Sequence, residues 1–229
     1  MKTKLIYAIA FTLLVQFANA QMIGVKGGLN IANMSMTLAD NAYSPDPLYG
    51  FHLGPVIDFN LHKNLFLNTG LLYSLKGYNL KNISNSTLGN ASNLNGKAKI
   101  SFFDIPLNLA YKIPFSSKFK FVVQGGPYVG LGLGGSEKNP QVISTGGLNQ
   151  TVPIQDIYSR GNLAKVDYGV GVGAGFEIGK MIYSVSYDYG LRNLWYKPYT
   201  NDMTGTLKIT TLEFSLTYMF GNLASSVGK

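Results

Sequence analysis

The chain has 229 residues, of which only 13% are charged, and its formal net charge is +8 at pH 7. It contains no cysteine, which excludes disulfides and thiolate metal sites. The charged fraction is below the roughly 25% usual for a soluble protein, whereas glycine, tyrosine and phenylalanine are abundant, at 27, 15 and 13 residues. The positive charges are scattered and include only two arginines, Arg160 and Arg192, so the composition disfavours nucleic-acid binding.

The first 20 residues have the pattern of a secretory signal peptide. Two lysines precede an apolar run over residues 5–17, and a small-residue cleavage site, Ala18-Asn19-Ala20, follows it. The apolar run is shorter than the roughly 20 residues needed to cross a bilayer. We therefore expect residues 1–20 to be a signal peptide; a retained anchor helix is the alternative.

After residue 20, eight segments alternate between apolar and polar residues with the period of two that is typical of a β-strand. In the second segment, for example, Phe51, Leu53 and Ile57 alternate with His52 and Asp58. No amphipathic helix is indicated. The eight segments are residues 23–33, 51–61, 65–76, 100–112, 119–133, 166–178, 182–192 and 212–220.

Two features are expected to disturb the pairing of these strands. The alternation of the fourth segment shifts near Phe102 and Phe103, which predicts a β-bulge. Pro55, Pro106 and Pro127 lie inside segments although proline cannot donate a hydrogen bond to a neighbouring strand. We expect local bulges or rim positions at these prolines.

Short and long connections between the segments follow one another in strict alternation. The three short turns lie at Lys63, at residues 114–117 and at Gly179-Lys180. The longer connections are residues 34–50, 77–98, 134–163 and 195–205, and the second of these carries six asparagines, which predicts a polar surface loop. Transmembrane barrels have short periplasmic turns and longer outer loops. With an even number of strands, this pattern predicts both termini on the periplasmic side.

The two faces of the segments differ in composition, and this difference indicates what surrounds them. One face is large and aromatic-rich, while the other is mostly glycine, serine, asparagine and charged residues. Side chains just fill the interior of an eight-stranded barrel, and a closed barrel satisfies every backbone group in lipid. We therefore predict an all-β, eight-stranded antiparallel up-and-down transmembrane β-barrel over residues 21–221, followed by a short tail over residues 222–229. A soluble lipocalin-like barrel, with its apolar face inside, is the structural alternative.

Five stretches of the chain carry a resemblance to a known family: GVKGGLN (24–30), YGFHLGPVIDFNL (49–61), LFLNTGLLYSLKGY (65–78), FFDIPLNLAYK (102–112) and the terminal LTYMF (216–220). In these stretches the chain resembles the PorT-like outer-membrane β-barrel proteins of Bacteroidota. The resemblance covers essentially the whole chain after residue 20. It implies an eight-stranded barrel in the outer membrane of a Gram-negative bacterium, inserted by the outer-membrane assembly machinery. The founding member is associated with secretion of proteases across the outer membrane, so a secretion role is one alternative function.

The last strand and the outer end of the barrel supply the expected contacts with the envelope. Barrels of this kind usually end on an aromatic strand, so Tyr218 and Phe220 are the expected insertion signal. Basic residues near the longer connections are expected either to attract phosphorylated lipopolysaccharide or to be simply solvated. These basic residues are Lys76, Lys81, Lys97, Lys99, Lys138, Arg160 and Lys197.

Nine charged residues are expected on the inward face. In a narrow barrel they must pair or meet water, because an unpaired buried charge is very costly. We expect an ion-pair network that plugs the lumen. A gated path for small solutes is the alternative, because many inward residues are glycines that leave space. The nine residues are Lys26, Asp58, Asp104, Lys112, Lys120, Glu177, Asp188, Arg192 and Glu213.

The sequence offers no convincing catalytic or cofactor site. His52 and His62 are the only histidines, and ten residues of strand put them roughly 30 Å apart. The glycine runs at residues 130–135 and 169–175 lack the Gly-Lys-Ser/Thr ending of a phosphate-binding loop. We therefore expect no enzyme, no cofactor and no metal, and a structural or surface-interaction role. The alternative is a Ser/His hydrolase that uses His52 near the outer rim.

Overall fold

The computed structural model describes residues 21–38, 41–43, 45–84, 93–139, 152–154, 158, 163–195 and 205–221. The expected signal peptide, residues 1–20, and the expected tail, residues 222–229, lie outside the described residues. Within the described ranges, no helix is long and apolar enough to cross a membrane.

A single antiparallel sheet contains the strands of the described residues. The strands are β1 (Gln21–Leu38), β2 (Asn41–Tyr43), β3 (Asp46–His62), β4 (Leu65–Gly70), β5 (Leu72–Ser84), β6 (Asn93–Pro114), β7 (Phe119–Asn139), β8 (Val152–Ile154), β9 (Val166–Ile178), β10 (Met181–Gly190) and β11 (Gly205–Met219). β4 and β5 share one position in the wall, separated at Leu71, while β2 and β8 are three-residue additions to β1 and β7. The wall therefore has eight positions.

The sheet closes into a ring because β1 pairs with both β11 and β3. Gly24, for example, lies opposite Met219 of β11 on one side and Val56 of β3 on the other. Each remaining wall strand pairs with its neighbours in chain order. The predicted eight-stranded up-and-down barrel is confirmed. Its turn end carries the three short turns, and its loop end carries the longer connections.

The apolar residues of the strands point outward. On β9, Val170, Val172 and Phe176 are 46%, 63% and 46% exposed, whereas Asp167 and Glu177 on the opposite face are buried. The same holds on β10, where Tyr183, Val185 and Tyr187 are exposed. A soluble barrel would show the reverse arrangement, so the lipocalin-like alternative is wrong.

The predicted irregularities are present in the ladders. The pairing of β6 with β7 shifts register between Ser101 and Phe102, at the predicted bulge. The same ladder skips from Pro106 to Leu109. Pro55 lies opposite the break between β4 and β5, where the Leu71 N–H donates to the Pro55 carbonyl at 3.0 Å. A proline has no N–H to continue the ladder, which accounts for interruptions at these positions.

The strands extend further towards the loop end than the sequence predicted. β6 has 22 residues and β7 has 21, although about 9–11 tilted residues cross a bilayer. Part of the asparagine-rich connection over residues 77–98 is also strand, since Ile83 pairs with Leu94 and Ser84 with Asn93. The expectation of a loop there was wrong because hairpin pairing uses backbone groups and does not require an apolar face.

Candidate functional site in the lumen

The most extensive cluster of charges inside the barrel lies near the turn end. Lys112 Nζ of β6 is 2.7 Å from Asp58 Oδ2 of β3 and 2.8 Å from Glu177 Oε2 of β9. Lys120 Nζ of β7 is 2.7 Å from Glu177 Oε1. Asn68 donates a hydrogen bond to the second oxygen of Asp58 at 2.6 Å. Two ammonium groups and two carboxylates thus form a neutral chain across four wall positions, which we call the turn-end quartet.

Three members of the turn-end quartet are almost completely buried. The side chains of Lys112, Asp58 and Glu177 are each 2% exposed. The Lys112 ammonium also lies 4.4 Å from the centroid of the Phe66 ring. Removing these charges from water is expensive, and the short contacts among them are what offset that cost. Removing one member would leave a neighbouring charge buried without compensation.

A second ion pair joins Lys26 of β1 to Glu213 of β11, with 3.4 Å between Nζ and Oε2. The Ser186 hydroxyl donates to the same carboxylate oxygen at 3.4 Å. Asp188 of β10 lines the same small cavity as Lys26 and Glu213. It makes no ion pair with any residue that the structure describes.

The third cluster, towards the loop end, includes a lysine that the sequence placed elsewhere. Lys76 Nζ of β5 is 2.8 Å from Asp104 Oδ2 of β6 and 5.1 Å from the centroid of the Tyr128 ring. The Tyr128 hydroxyl donates to Asp167 at 3.1 Å. Lys76 is 1% exposed, so its inclusion among the outer basic residues was wrong. Its inward position in the alternation of β5 carried the correct signal.

The other outer basic residues differ from Lys76. Lys97 and Lys99 are exposed at the loop end of β6. The side chains of Lys81, Lys138, Arg160 and Lys197 lie outside the described part of the structure.

Arg192 does not belong to the lumen. β10 ends at Gly190, and the following N–H groups of Leu191 and Arg192 donate to the Tyr168 carbonyl at 2.9 and 3.3 Å. The guanidinium carbon lies 5.9 Å from the centroid of the Tyr168 ring, which is on the outward face. The prediction of an inward Arg192 was wrong because the alternation of the strand does not continue past Gly190.

His52 lies inside the barrel rather than near its rim. Its Nδ1 is 2.6 Å from Asn30 Oδ1, and its Nε2 is 3.0 Å from the Ser215 hydroxyl. Asn30 also donates to the Ser74 hydroxyl at 2.9 Å. All four side chains are buried, and both ring nitrogens of His52 and the Asn30 amide are hydrogen-bonded. Chemically, this is a satisfied polar network.

Apolar residues also face inward, which the sequence analysis did not expect. At the loop end, Met34, Phe102 and Ile209 from the wall pack with Tyr158 and Leu194 from the connections. Half-buried Trp195 packs against this loop-end cluster. A second, turn-end cluster consists of Met22, Val56, Phe66, Leu72, Ala110, Val122, Ile182 and Met219. Their inward positions in the alternation of the strands could have identified these apolar residues from the sequence.

Little space remains between these groups. One cavity, lined by Lys26, Asp104, Asp188 and Glu213, has a volume of about 20 Å³. Another, lined by Asp58 and Lys112 with other residues, has a similar volume of about 20 Å³. Each can hold about one water molecule. Among the described residues, no group of three or more histidine, aspartate or glutamate side chains could hold a metal ion.

Comparison with known proteins agrees with this architecture. Residues 17–196 match the family model described as outer membrane protein beta-barrel domain. The search of curated proteins finds no match.

The similar solved structures have low sequence identity to this chain. The attachment invasion locus protein Ail of Yersinia pestis is 13% identical, with a TM-score of 0.38, and the match covers 87% of this chain and 98% of Ail. The outer membrane protein OprG of Pseudomonas aeruginosa is 13% identical, with a TM-score of 0.41 and coverage of 88% and 96%. A major outer membrane protein of Thermus thermophilus is 11% identical, with a TM-score of 0.46 and coverage of 88% and 100%. On the family match, this chain belongs to the outer membrane β-barrel domain proteins of Gram-negative outer membranes.

Proposed function

We propose that this protein is a non-catalytic barrel with a closed lumen, whose role is structural or lies in interactions at the cell surface. The observation that carries the proposal is the filled interior. Ion pairs lie along the lumen from the turn-end quartet to Lys76 and Asp104, apolar clusters lie among them and at the loop end, and the two cavities described above have room for about one water each. A solute path would need a continuous opening through these layers.

We further propose the finer assignments that follow from the sequence. Residues 1–20 are a signal peptide, and the chain is a PorT-like protein of Bacteroidota, as the quoted stretches indicate. The even number of wall positions puts both ends of the barrel at the turn end, which we place on the periplasmic side.

The proposed envelope contacts involve both ends of the barrel. Tyr218 and Phe220 are exposed on the outward face, with ring centroids 5.3 Å apart, and they form the insertion signal for the outer-membrane assembly machinery. At the loop end, exposed Lys97 and Lys99 precede outward Ser101 and Phe103 along β6, a position suited to lipopolysaccharide phosphates. A secretion role remains an alternative that rests on the family resemblance.

The test begins with the protein extracted from the outer membrane in detergent. We expect a folded band that shifts on boiling, and no conductance steps when the folded sample is added to planar bilayers. A general porin in the same bilayers controls for insertion. Conductance steps of the parent chain that become larger in Phe102→Ala, a change in the loop-end cluster, would overturn the closed lumen. They would favour a small-solute channel. Co-purification with secretion components would instead favour the secretion role.

A further inference from the structure

An apolar groove interrupts the outward face near the turn end. It has a volume of about 620 Å³ and crosses five neighbouring wall positions, β1, β11, β10, β9 and β7. Two small outward residues, Gly27 of β1 and Ala174 of β9, lie among much larger ones. The groove therefore exists because of these small residues.

Two rows of outward side chains form the walls of the groove. In one row, Leu216, Tyr183 and Phe176 lie opposite one another on successive strands. In the other row, Phe214 and Val185 lie beside Ala174 in the same way. The ring of Phe176 also contacts that of Phe121, with 5.3 Å between centroids, which extends the first wall onto β7. The walls are thus apolar and largely aromatic.

The distance from the turn end to the groove is close to the thickness of one bilayer leaflet. Five residues separate Gly179, in the turn, from Ala174, which corresponds to about 17 Å of strand. A strand tilt of about 40° reduces this to a depth of about 13 Å. Half of a typical hydrocarbon core is about 15 Å. An acyl chain that starts at the turn end can therefore reach the groove within its own leaflet.

Two exposed lysines lie on turns next to strands that line the groove. Lys118 and Lys180 are exposed on neighbouring turns, where the Gly179 N–H donates to the Lys118 carbonyl at 2.9 Å. Neither ammonium group forms an ion pair with a described residue. A pair of free cations at the edge of a lipid-facing groove is complementary to the phosphate of a lipid headgroup.

We propose that this groove and the two lysines form a binding site for one phospholipid of the periplasmic leaflet. The acyl chain lies between the two rows of side chains, and the phosphate lies at Lys118 and Lys180. The groove is continuous with the lipid-facing surface of the barrel, which argues for lipid as the occupant. The choice of leaflet rests on the proposed periplasmic position of the turn end.

Native mass spectrometry of the folded full chain in detergent, with phosphatidylglycerol added, tests the proposal. We expect one phosphatidylglycerol to be retained per chain. Ala174→Phe fills the groove and abolishes retention, whereas Val129→Phe, an outward change on β7 outside the groove lining, leaves it unchanged. The double variant Lys118→Gln and Lys180→Gln weakens binding about 25-fold, at about fivefold for each lysine, while Lys63→Gln on another turn has no effect. A boiling-dependent gel shift confirms that each variant is folded.

Equal retention by all variants would overturn the proposal. A dimer that disappears in Ala174→Phe, with lipid retention unchanged, would assign the groove to a second copy of the chain instead. The leaflet is tested separately with Lys63→Cys in this cysteine-free chain. Labelling of that residue in intact cells by a maleimide too large to pass through porins would put the turn end outside, which overturns both the proposed orientation and the periplasmic phospholipid. If the parent chain retains no phosphatidylglycerol and Lys63→Cys is not labelled, the groove site alone is overturned.

Discussion

Replacing Lys112 with methionine should destabilise the barrel more than any change of a surface charge. Lys112 lies between Asp58 and Glu177, at 2.7 and 2.8 Å, so its removal leaves two carboxylates with one remaining ammonium group, that of Lys120. Removing one partner of a buried pair costs about 3–5 kcal/mol, because the other charge stays buried without compensation. Methionine keeps most of the side-chain length, so lost packing contributes little. The expected loss of unfolding free energy is therefore about 3–5 kcal/mol.

Urea unfolding in detergent micelles measures this loss, by the boiling-dependent gel band and by the emission of Trp195, the single tryptophan. Lys180→Met, an exposed turn lysine, is the matched control and should stay within about 0.5 kcal/mol of the parent. Adding Asp58→Asn to Lys112→Met should recover part of the loss, because it removes one uncompensated charge. The reasoning fails if Lys112→Met loses no more unfolding free energy than the control, or if the double variant is less stable than Lys112→Met alone.

Three further outcomes are expected. Phe102→Ala in the loop-end cluster should cost about 3–5 kcal/mol in the same titration, whereas Phe103→Ala on the outward face should cost clearly less; equal losses would count against an inward packed cluster. His52→Ala should cost about 1–3 kcal/mol because it leaves buried polar partners unsatisfied; an unchanged midpoint would refute the polar network. Phe220→Ala should slow the appearance of the heat-shifting band in vesicles that contain the assembly machinery, while Leu191→Ala should not; equal rates would remove Phe220 from the insertion signal.

The alternation of side chains was sufficient to predict the architecture. Segments such as residues 166–178 coincide with the observed strand β9 because each outward valine or aromatic residue is separated by a small or charged inward one. The short turn at Gly179 has φ of +62°, a conformation that glycine adopts without strain. The strands and turns could therefore be predicted from the sequence, because neighbouring residues in the chain determine them.

The composition of the interior was harder to predict because it depends on which strands become neighbours. Lys76 and Asp104 are far apart in the chain, and only the pairing of β5 with β6 brings them together. The inward apolar residues Val56 and Phe102 were missed for a related reason. Alternation distinguishes two faces but does not state that one face must be polar along its whole length. Arg192 shows the opposite error. It was assigned to the inward face by counting alternate residues, and this counting fails where the strand ends.

The ion pairs of the lumen have a further consequence for how the barrel selects one arrangement of its strands. A slip of one strand by two residues keeps every apolar residue on the outward face, and fluid lipid does not distinguish one apolar side chain from another. The same slip moves Lys112 about 7 Å along its strand, which breaks its contacts with Asp58 and Glu177. Buried ion pairs add little net stability over apolar packing, but a misplaced one is costly. We therefore expect the turn-end quartet to contribute mainly by penalising wrong registers, which the outer face cannot do because lipid has no fixed shape. Apolar residues such as Ala110 and Val122 lie next to Lys112 and Lys120 on the same inward faces, and they exclude the water that would make a misplaced charge tolerable.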